Sequence, residues 1–205
     1  MKRLPLLFFV SGLTGLLSLG GLWATVAQAD SDRNFTLDVS MDGRLGGVNT
    51  TDGGAFQRAL VGVFNGNIYP KRTLRRRDET FDPASDGEIG TWRCLFTALN
   101  DVAFPSGTEK SLDFPLTGAV TYHFQLHPTG YDRSESTLVV MGLNSHTFHD
   151  KDNVTRVLAV VGGTGRYAGA TGEVRETVLG RNMTTARNLR FRFRLNKVGD
   201  DRHHH

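Results

Sequence analysis

The sequence feature that most constrains the fold is an apolar run followed at once by a cluster of glycines. The run covers residues 157–161 and is rich in β-branched side chains, which favour a buried strand. Glycines then occupy positions 162, 163, 165, 169 and 172. Two interpretations compete for this pattern: a phosphate-binding turn that leads into a helix, and a tight turn between two antiparallel strands.

The phosphate-binding interpretation lacks its helix. Residues 163–168 match the spacing of a dinucleotide-binding fingerprint, but that motif needs a helix directly afterwards, because the helix N-terminus holds the pyrophosphate. Gly169 and Gly172 would lie in the first helical turns, where each costs roughly 1 kcal/mol relative to Ala. The sequence therefore favours the strand turn. In it, residues 162–165 supply positive φ angles, and Gly169 and Gly172 mark a bulge or bend in the returning strand.

The rest of the chain is also patterned as strands. Predicted strands cover residues 35–41, 56–65, 89–98, 112–126, 138–144, 154–161, 169–179 and 189–195. No stretch of useful length has helical periodicity. Eight antiparallel strands that close on themselves give a barrel whose lumen can hold one small ligand. We therefore predict an all-β protein with an eight-stranded antiparallel β-barrel.

The glycine cluster also carries a resemblance to known families. The sequence VVGGTGRY at 160–167, followed by AGATG at 168–172, closely resembles the signature of the dirigent and allene oxide cyclase families. The stretch STLVVMGLN at 136–144 is similar to the dirigent strand just upstream of it. The resemblance covers roughly residues 112–180. It implies a trimeric barrel that binds a reactive hydrophobic intermediate in its lumen.

The first residues have the pattern of a secretory signal peptide. Lys2 and Arg3 precede an apolar stretch, and Ala27-Gln28-Ala29 is a small-residue cleavage site. We expect a signal peptide at 1–29, a single barrel domain at 30–197, and a tail at 198–205 whose three histidines are a purification-tag remnant. This organisation predicts a secreted or periplasmic protein that has no membrane contact in its mature form.

Charge and cysteine content narrow the possible partners. A formal net charge of +3 gives no reason to invoke nucleic acid. Cys94 is the single cysteine and cannot form an internal disulfide, so we expect stability to come from packing and from assembly into a homo-oligomer. The histidines outside the tail lack a partner cysteine, and we predict neither a metal site nor a cofactor.

Glu176 is the strongest candidate for a catalytic group. It shares one face of its predicted strand with Val174 and Val178, which directs it toward the lumen. A buried carboxylate is costly unless it is hydrogen-bonded or neutral, and such a group suits general acid or base chemistry. The alternatives are that Glu176 lies at the rim, or that it is half of a structural ion pair with Arg58 or Arg93.

Further lumen candidates come from polar or aromatic residues among apolar neighbours. We expect Arg93 and Tyr122 to act with Glu176 in catalysis. Candidate ligand-binding residues are Asp38, Arg58, Trp92, Phe124 and Asn144. An arginine inside a barrel normally has a carboxylate partner, which Asp38 could supply.

Three functions are compatible with these residues. The leading hypothesis is a cofactor-free cyclase or isomerase that binds a small hydrophobic substrate and controls the stereochemistry of ring closure through shape and a few polar groups. The second is a dirigent-type protein that orients radical intermediates without catalysis. The third is a carrier of a small apolar molecule. Ionisable groups in the lumen would favour catalysis, whereas a wholly apolar lumen would favour carriage.

Overall fold

A computed structural model describes residues 33–45, 47–48, 61–99, 115–127, 135–147 and 154–198. The strands are β1 (Asn34–Met41), β2 (Gly47–Val48), β3 (Val61–Pro70), β4 (Gly90–Ala98), β5 (Pro115–Leu126), β6 (Ser136–Thr147), β7 (Thr155–Thr164), β8 (Thr171–Arg181) and β9 (Arg187–Lys197). A short 3-10 turn at Gly165–Tyr167 joins β7 to β8. Within this described part, no helix has the length and apolar character needed to cross a membrane.

Eight of these strands close into an antiparallel barrel. From β3 to β9, each strand pairs with the next one along the chain. Strand β1 closes the barrel because it pairs with β9 on one side and with β3 on the other. The two-residue β2 adds only to the end of β3. The predicted eight-stranded barrel is confirmed. Strand β3 continues to Pro70, beyond the predicted end at residue 65, and the predicted start of that strand lies outside the described residues.

Strict alternation lines the lumen with apolar side chains. On β4, every second residue from Trp92 to Ala98 is buried, while Arg93 and Leu95 between them are exposed. On β9, the predicted apolar row from Leu189 to Leu195 is buried throughout. Since side chains on a strand point alternately to its two faces, these rows are the inner wall of the barrel.

Stacked aromatic rings fill one end of the lumen, called here the aromatic end. The ring of Phe35 stacks on Phe193 at 4.7 Å and on Tyr167 at 5.4 Å between centroids. Phe124 meets Phe193 edge-on at 5.2 Å. Three residues lie at the opposite end of the lumen: Ala98 at the end of β4, Gly118 near the start of β5, and Arg156 near the start of β7.

The glycine cluster forms the β7–β8 connection. Strand β7 runs through Gly162 and Gly163, and the residues with positive φ are Gly165, Gly169 and Gly172. The prediction of positive φ at the first two positions was therefore wrong. Gly163 is needed for close approach instead, because a Cβ there would collide with the carbonyl oxygen of Thr137. A strand follows the glycines, so the dinucleotide interpretation is excluded.

An irregular segment at residues 71–89, called here the strap, packs against the outer face of β1 and β9. The Asp38 carboxylate holds it, accepting hydrogen bonds from the Leu74 backbone N–H at 3.0 Å and from the Arg190 Nε at 2.7 Å. The Arg190 guanidinium also donates to the Leu74 carbonyl at 3.0 Å. The strap therefore buries Asp38 completely on the outside of the barrel.

Candidate functional site

The polar centre of the lumen is built on β5, β7 and β8. Glu176 lies between the buried Val174 and Val178, and 2% of its side chain is exposed. It faces the lumen, as the sequence predicts. The β7–β8 register sets Arg156 directly opposite Glu176, and inward-facing Tyr122 reaches the same point from β5.

Two different donors bind the two carboxylate oxygens of Glu176. The Tyr122 hydroxyl donates to Oε2 at 2.9 Å, and the Arg156 Nη1 donates to Oε1 at 2.8 Å. The Arg156 side chain is 9% exposed, so solvent screens this ion pair little. We call the three residues the lumen triad. Because both oxygens accept a hydrogen bond from an oriented donor, the carboxylate is held in one position.

Burial and the charge of Glu176 keep two nearby groups neutral, the Tyr122 phenol and the Cys94 thiol. Burial, and then the negative charge of Glu176, raise the pKa of Tyr122 well above its ordinary value of 10.0. The same two causes, in the same order, raise the pKa of the buried Cys94 thiol. Tyr122 is therefore a phenol that can donate a proton but is not ionised at rest. Cys94 is an unreactive thiol, since the thiolate is the nucleophilic form.

Aromatic rings form the walls beside the triad. The Tyr122 ring lies 5.3 Å from the indole of Trp92 and 5.6 Å, edge-on, from Phe191. Phe124 meets Phe191 edge-on at 5.0 Å. Of the residues chosen from the sequence, Glu176, Tyr122, Trp92 and Phe124 therefore come together in one lumen.

Two of the predicted lumen residues lie on the outside of the barrel. Arg93 is exposed, and its Nε donates to the side-chain oxygen of Asn65 at 3.1 Å. Its predicted lumen position was wrong because Leu95, which shares its face, is itself exposed on the outer wall. The predicted position of Asp38 was wrong as well, because its partner is Arg190 under the strap.

Arg58 lies outside the described residues. The backbone of Asn144 lies in β6 opposite Gly118, and its side chain is outside the described set. The partner of Glu176 is Arg156, which the sequence analysis did not select. The signal that could have found it is the hairpin register, since pairing β7 with β8 sets Arg156 across from Glu176.

Within the described ranges, no three histidine, cysteine or acidic side chains are grouped so that they could hold a metal ion. The polar groups that converge in the lumen are a phenol, a carboxylate and a guanidinium. This set of groups can move or stabilise protons and hold oxygen atoms.

Comparisons with known proteins describe the fold. No family model and no curated protein matches the chain. Solved structures do match, in 27 chains. Pyocyanin demethylase is 13% identical with a TM-score of 0.50, over 80% of this chain and 99% of its own. Two pterocarpan synthase dirigent proteins are each 14% identical, with TM-scores of 0.45 and 0.46, over 79% and 80% of this chain and 86% and 96% of theirs. At this level of identity, the likeness to pyocyanin demethylase concerns the fold alone.

Proposed function

We propose that this protein is a cofactor-independent cyclase or isomerase that moves a proton within a small hydrophobic substrate held in the barrel lumen. The observation that carries the proposal is the lumen triad, a hydrogen-bonded phenol, carboxylate and guanidinium among aromatic walls. A buried ion pair is often neutral or unfavourable for stability compared with apolar side chains of similar volume. A carrier of apolar molecules would have no use for it.

In the proposed mechanism, Tyr122 relays a proton between the substrate and Glu176. The Tyr122 hydroxyl already points its proton at Glu176, so its oxygen can accept a proton from the substrate as its own proton passes to the carboxylate. Because the pKa of Tyr122 is raised, the two transfers occur together and no free phenolate accumulates. Glu176 is thus the base, and Tyr122 is the group that contacts the substrate.

The proton relay alone accounts for every proton that moves in ring closure and in isomerisation. In ring closure, a substrate hydroxyl loses its proton to Tyr122 as its oxygen adds to an activated carbon–carbon double bond within the same molecule. The relay then returns the proton to the carbon at the other end of that bond. In isomerisation, the proton leaves one carbon and returns to another. Neither reaction requires an oxidant, a reductant or a cofactor.

The other residues supply position and shape. Arg156 acts through Glu176 as a positioning residue, because a cation at hydrogen-bond distance favours the ionised carboxylate. The rings of Trp92, Phe124 and Phe191 restrict how a flexible substrate can fold before it reacts. Such restriction lowers the barrier to an intramolecular reaction and selects one stereochemical outcome.

A probe reaction tests the base without knowledge of the natural substrate. 5-Nitrobenzisoxazole is small, flat and apolar, and a base opens its ring by removing one C–H proton, giving a coloured phenolate. We expect Glu176→Gln to lower kcat/KM for this probe by about 100-fold, within the usual range for general base catalysis. Glu173→Gln is the matched control, because Glu173 lies on the same strand but is exposed. Equal rates for the wild type and Glu176→Gln would refute the proposal.

We also propose that the barrel forms a homotrimer through its outer wall. One outer row runs in register across four strands, from Val63 through Leu95 and Thr121 to Met141. It carries no charge and its apolar members are exposed, as is Leu143 at 67%. This uncharged face can pack around a threefold axis without like-charge repulsion, whereas the exposed outer faces of β8 and β9 carry arginines. Light scattering should give a trimer mass that Leu143→Glu lowers; a wild-type monomer would contradict this.

Export is a further part of the proposal. The basic, apolar and small-residue pattern at residues 1–29 supports a chain that is cleaved after Ala29 and released outside the cytoplasm. The intact mass of protein recovered from the exported fraction should correspond to a start at Asp30. A species that retains Met1 would contradict cleavage.

A further inference from the structure

The indole N–H of Trp92 is a buried donor that no other described residue uses. Trp92 is 2% exposed, and its Nε1 has no hydrogen-bond partner among the described residues. Folded proteins pair the large majority of their buried side-chain polar groups, so each exception calls for an explanation. An unused donor in a lumen is explained if a ligand that enters the lumen accepts a hydrogen bond from it.

Trp92 lies next to the lumen triad. Trp92 lies on β4 with its side chain inward, and its ring is 5.3 Å from Tyr122 and 6.4 Å from Phe191. The neighbouring acceptors are already engaged, since both oxygens of Glu176 receive hydrogen bonds from Tyr122 and Arg156. A ligand in contact with Tyr122 would therefore bring its next ring or next few atoms against the Trp92 indole.

We propose that Trp92 Nε1 is a specificity-determining donor that binds a carbonyl or ether oxygen of the ligand. The substrate class is then a flat, largely apolar molecule with two separate features. One is the acidic O–H or C–H group that meets Tyr122, and the other is an oxygen acceptor one ring away that meets Trp92. The assignment of the first feature rests on the proposed function, whereas the second is a statement about binding alone.

This donor discriminates between molecules of the same shape. An oxygen acceptor satisfies the buried N–H, and a hydrocarbon leaves it unsatisfied. A buried hydrogen bond that is formed with one ligand and missing with another changes the binding affinity by about fivefold to a hundredfold. Purely hydrocarbon ligands of equal size should therefore bind more weakly, although they fill the same space.

Fluorenone and fluorene form a matched pair of probes, because they differ only in a carbonyl group in place of a methylene. Calorimetry on the chain that begins at Asp30 should show fluorenone binding at least fivefold more tightly than fluorene. Trp92→Phe keeps an aromatic wall but removes the donor, and it should bring the two affinities within twofold of each other. Tyr69→Phe is the matched control, since it removes a buried donor that already pairs with the carbonyl of Pro83 in the strap, and it should leave the preference intact.

A second measurement does not depend on the fold of the Trp92 variant. In the chain that begins at Asp30, Trp92 gives the single indole N–H resonance, which fluorenone should shift downfield and fluorene should not. No fluorenone preference in the wild type, a preference kept in Trp92→Phe, or no shift of the resonance would each overturn the inference. An ordered water on Nε1 would produce the first of these results. The proton relay is tested separately, because these measurements concern binding and the benzisoxazole reaction concerns Glu176.

Discussion

Replacing Arg156 with Met should destabilise the barrel far more than removing an arginine from its surface. Met keeps much of the length and volume of the side chain but leaves Glu176 as a buried carboxylate without its cation. Removing one partner of a buried ion pair typically costs about 3–5 kcal/mol of folding free energy. Tyr122 still donates to Glu176 in the variant, which places the expected loss at the lower end, about 3 kcal/mol.

The loss can be measured by urea unfolding at neutral pH, followed by circular dichroism. For a chain of this size, 1 kcal/mol corresponds to about 2–4 °C in Tm, so the melting temperature should fall by roughly 6–12 °C. Arg194→Met is the matched control, because Arg194 is exposed and lies 3.8 Å from the exposed Glu173. That change should stay within about 1 kcal/mol of wild type, as expected for surface pairs.

A double-mutant cycle separates the ion pair from simple loss of packing. Glu176→Gln alone leaves Arg156 as a buried cation, so it should also be destabilising. The double variant removes both charges, and its loss should be smaller than the sum of the two single losses by at least about 1 kcal/mol. Additive losses, or a loss of less than 1 kcal/mol in Arg156→Met, would refute the description of this pair as buried and coupled.

Three further outcomes follow from other contacts. The pKa of Tyr122 is raised in the folded state, so the unfolded chain loses its proton first; the stability that depends on this phenol is therefore present below about pH 10 and lost as pH rises above it. Urea unfolding at several alkaline pH values should show a smaller decline in Tyr122→Phe than in wild type. Gly118→Ala sets a Cβ into the ring of Phe96 and should cost about 1–3 kcal/mol, of which Phe96→Leu in the same chain should restore part. Asp38→Asn weakens the anchor of the strap, and trypsin should then cleave the strap faster than in wild type; an unchanged rate would contradict this anchoring role.

Alternation along single strands was enough to predict which residues face the lumen where one face is clearly apolar. It placed Glu176 between two valines and Tyr122 in a row with Phe124, and both rows are buried. Alternation failed where both faces of a strand are apolar. Leu95 is hydrophobic yet exposed on the outer wall. Because Arg93 shares a face with Leu95, the hydrophobicity of Leu95 predicted the wrong side of the strand for Arg93.

The pairing between strands held the information that single strands lack. In β7, both faces of the run at 157–161 are apolar, which hides the phase of the strand and of Arg156 before it. Only the register with β8 reveals that Arg156 meets Glu176. The burial of Asp38 could not be predicted either, because it depends on an irregular strap that has no periodic pattern.

The double pairing of β1 has a consequence for the order in which the barrel is assembled. Every other pairing joins strands that lie close together in the chain, whereas the second pairing of β1 must wait for β9. The Ser40 hydroxyl, for example, donates to Asn188, 148 residues away. At a synthesis rate of about 5–20 residues per second, that separation corresponds to roughly 7–30 s on the ribosome. Strand β3 emerges much sooner and pairs with β1 from Leu37 to Met41. The nascent chain can thus pair the second half of its first strand early, whereas the ladder between β1 and β9 cannot form until β9 has been synthesised.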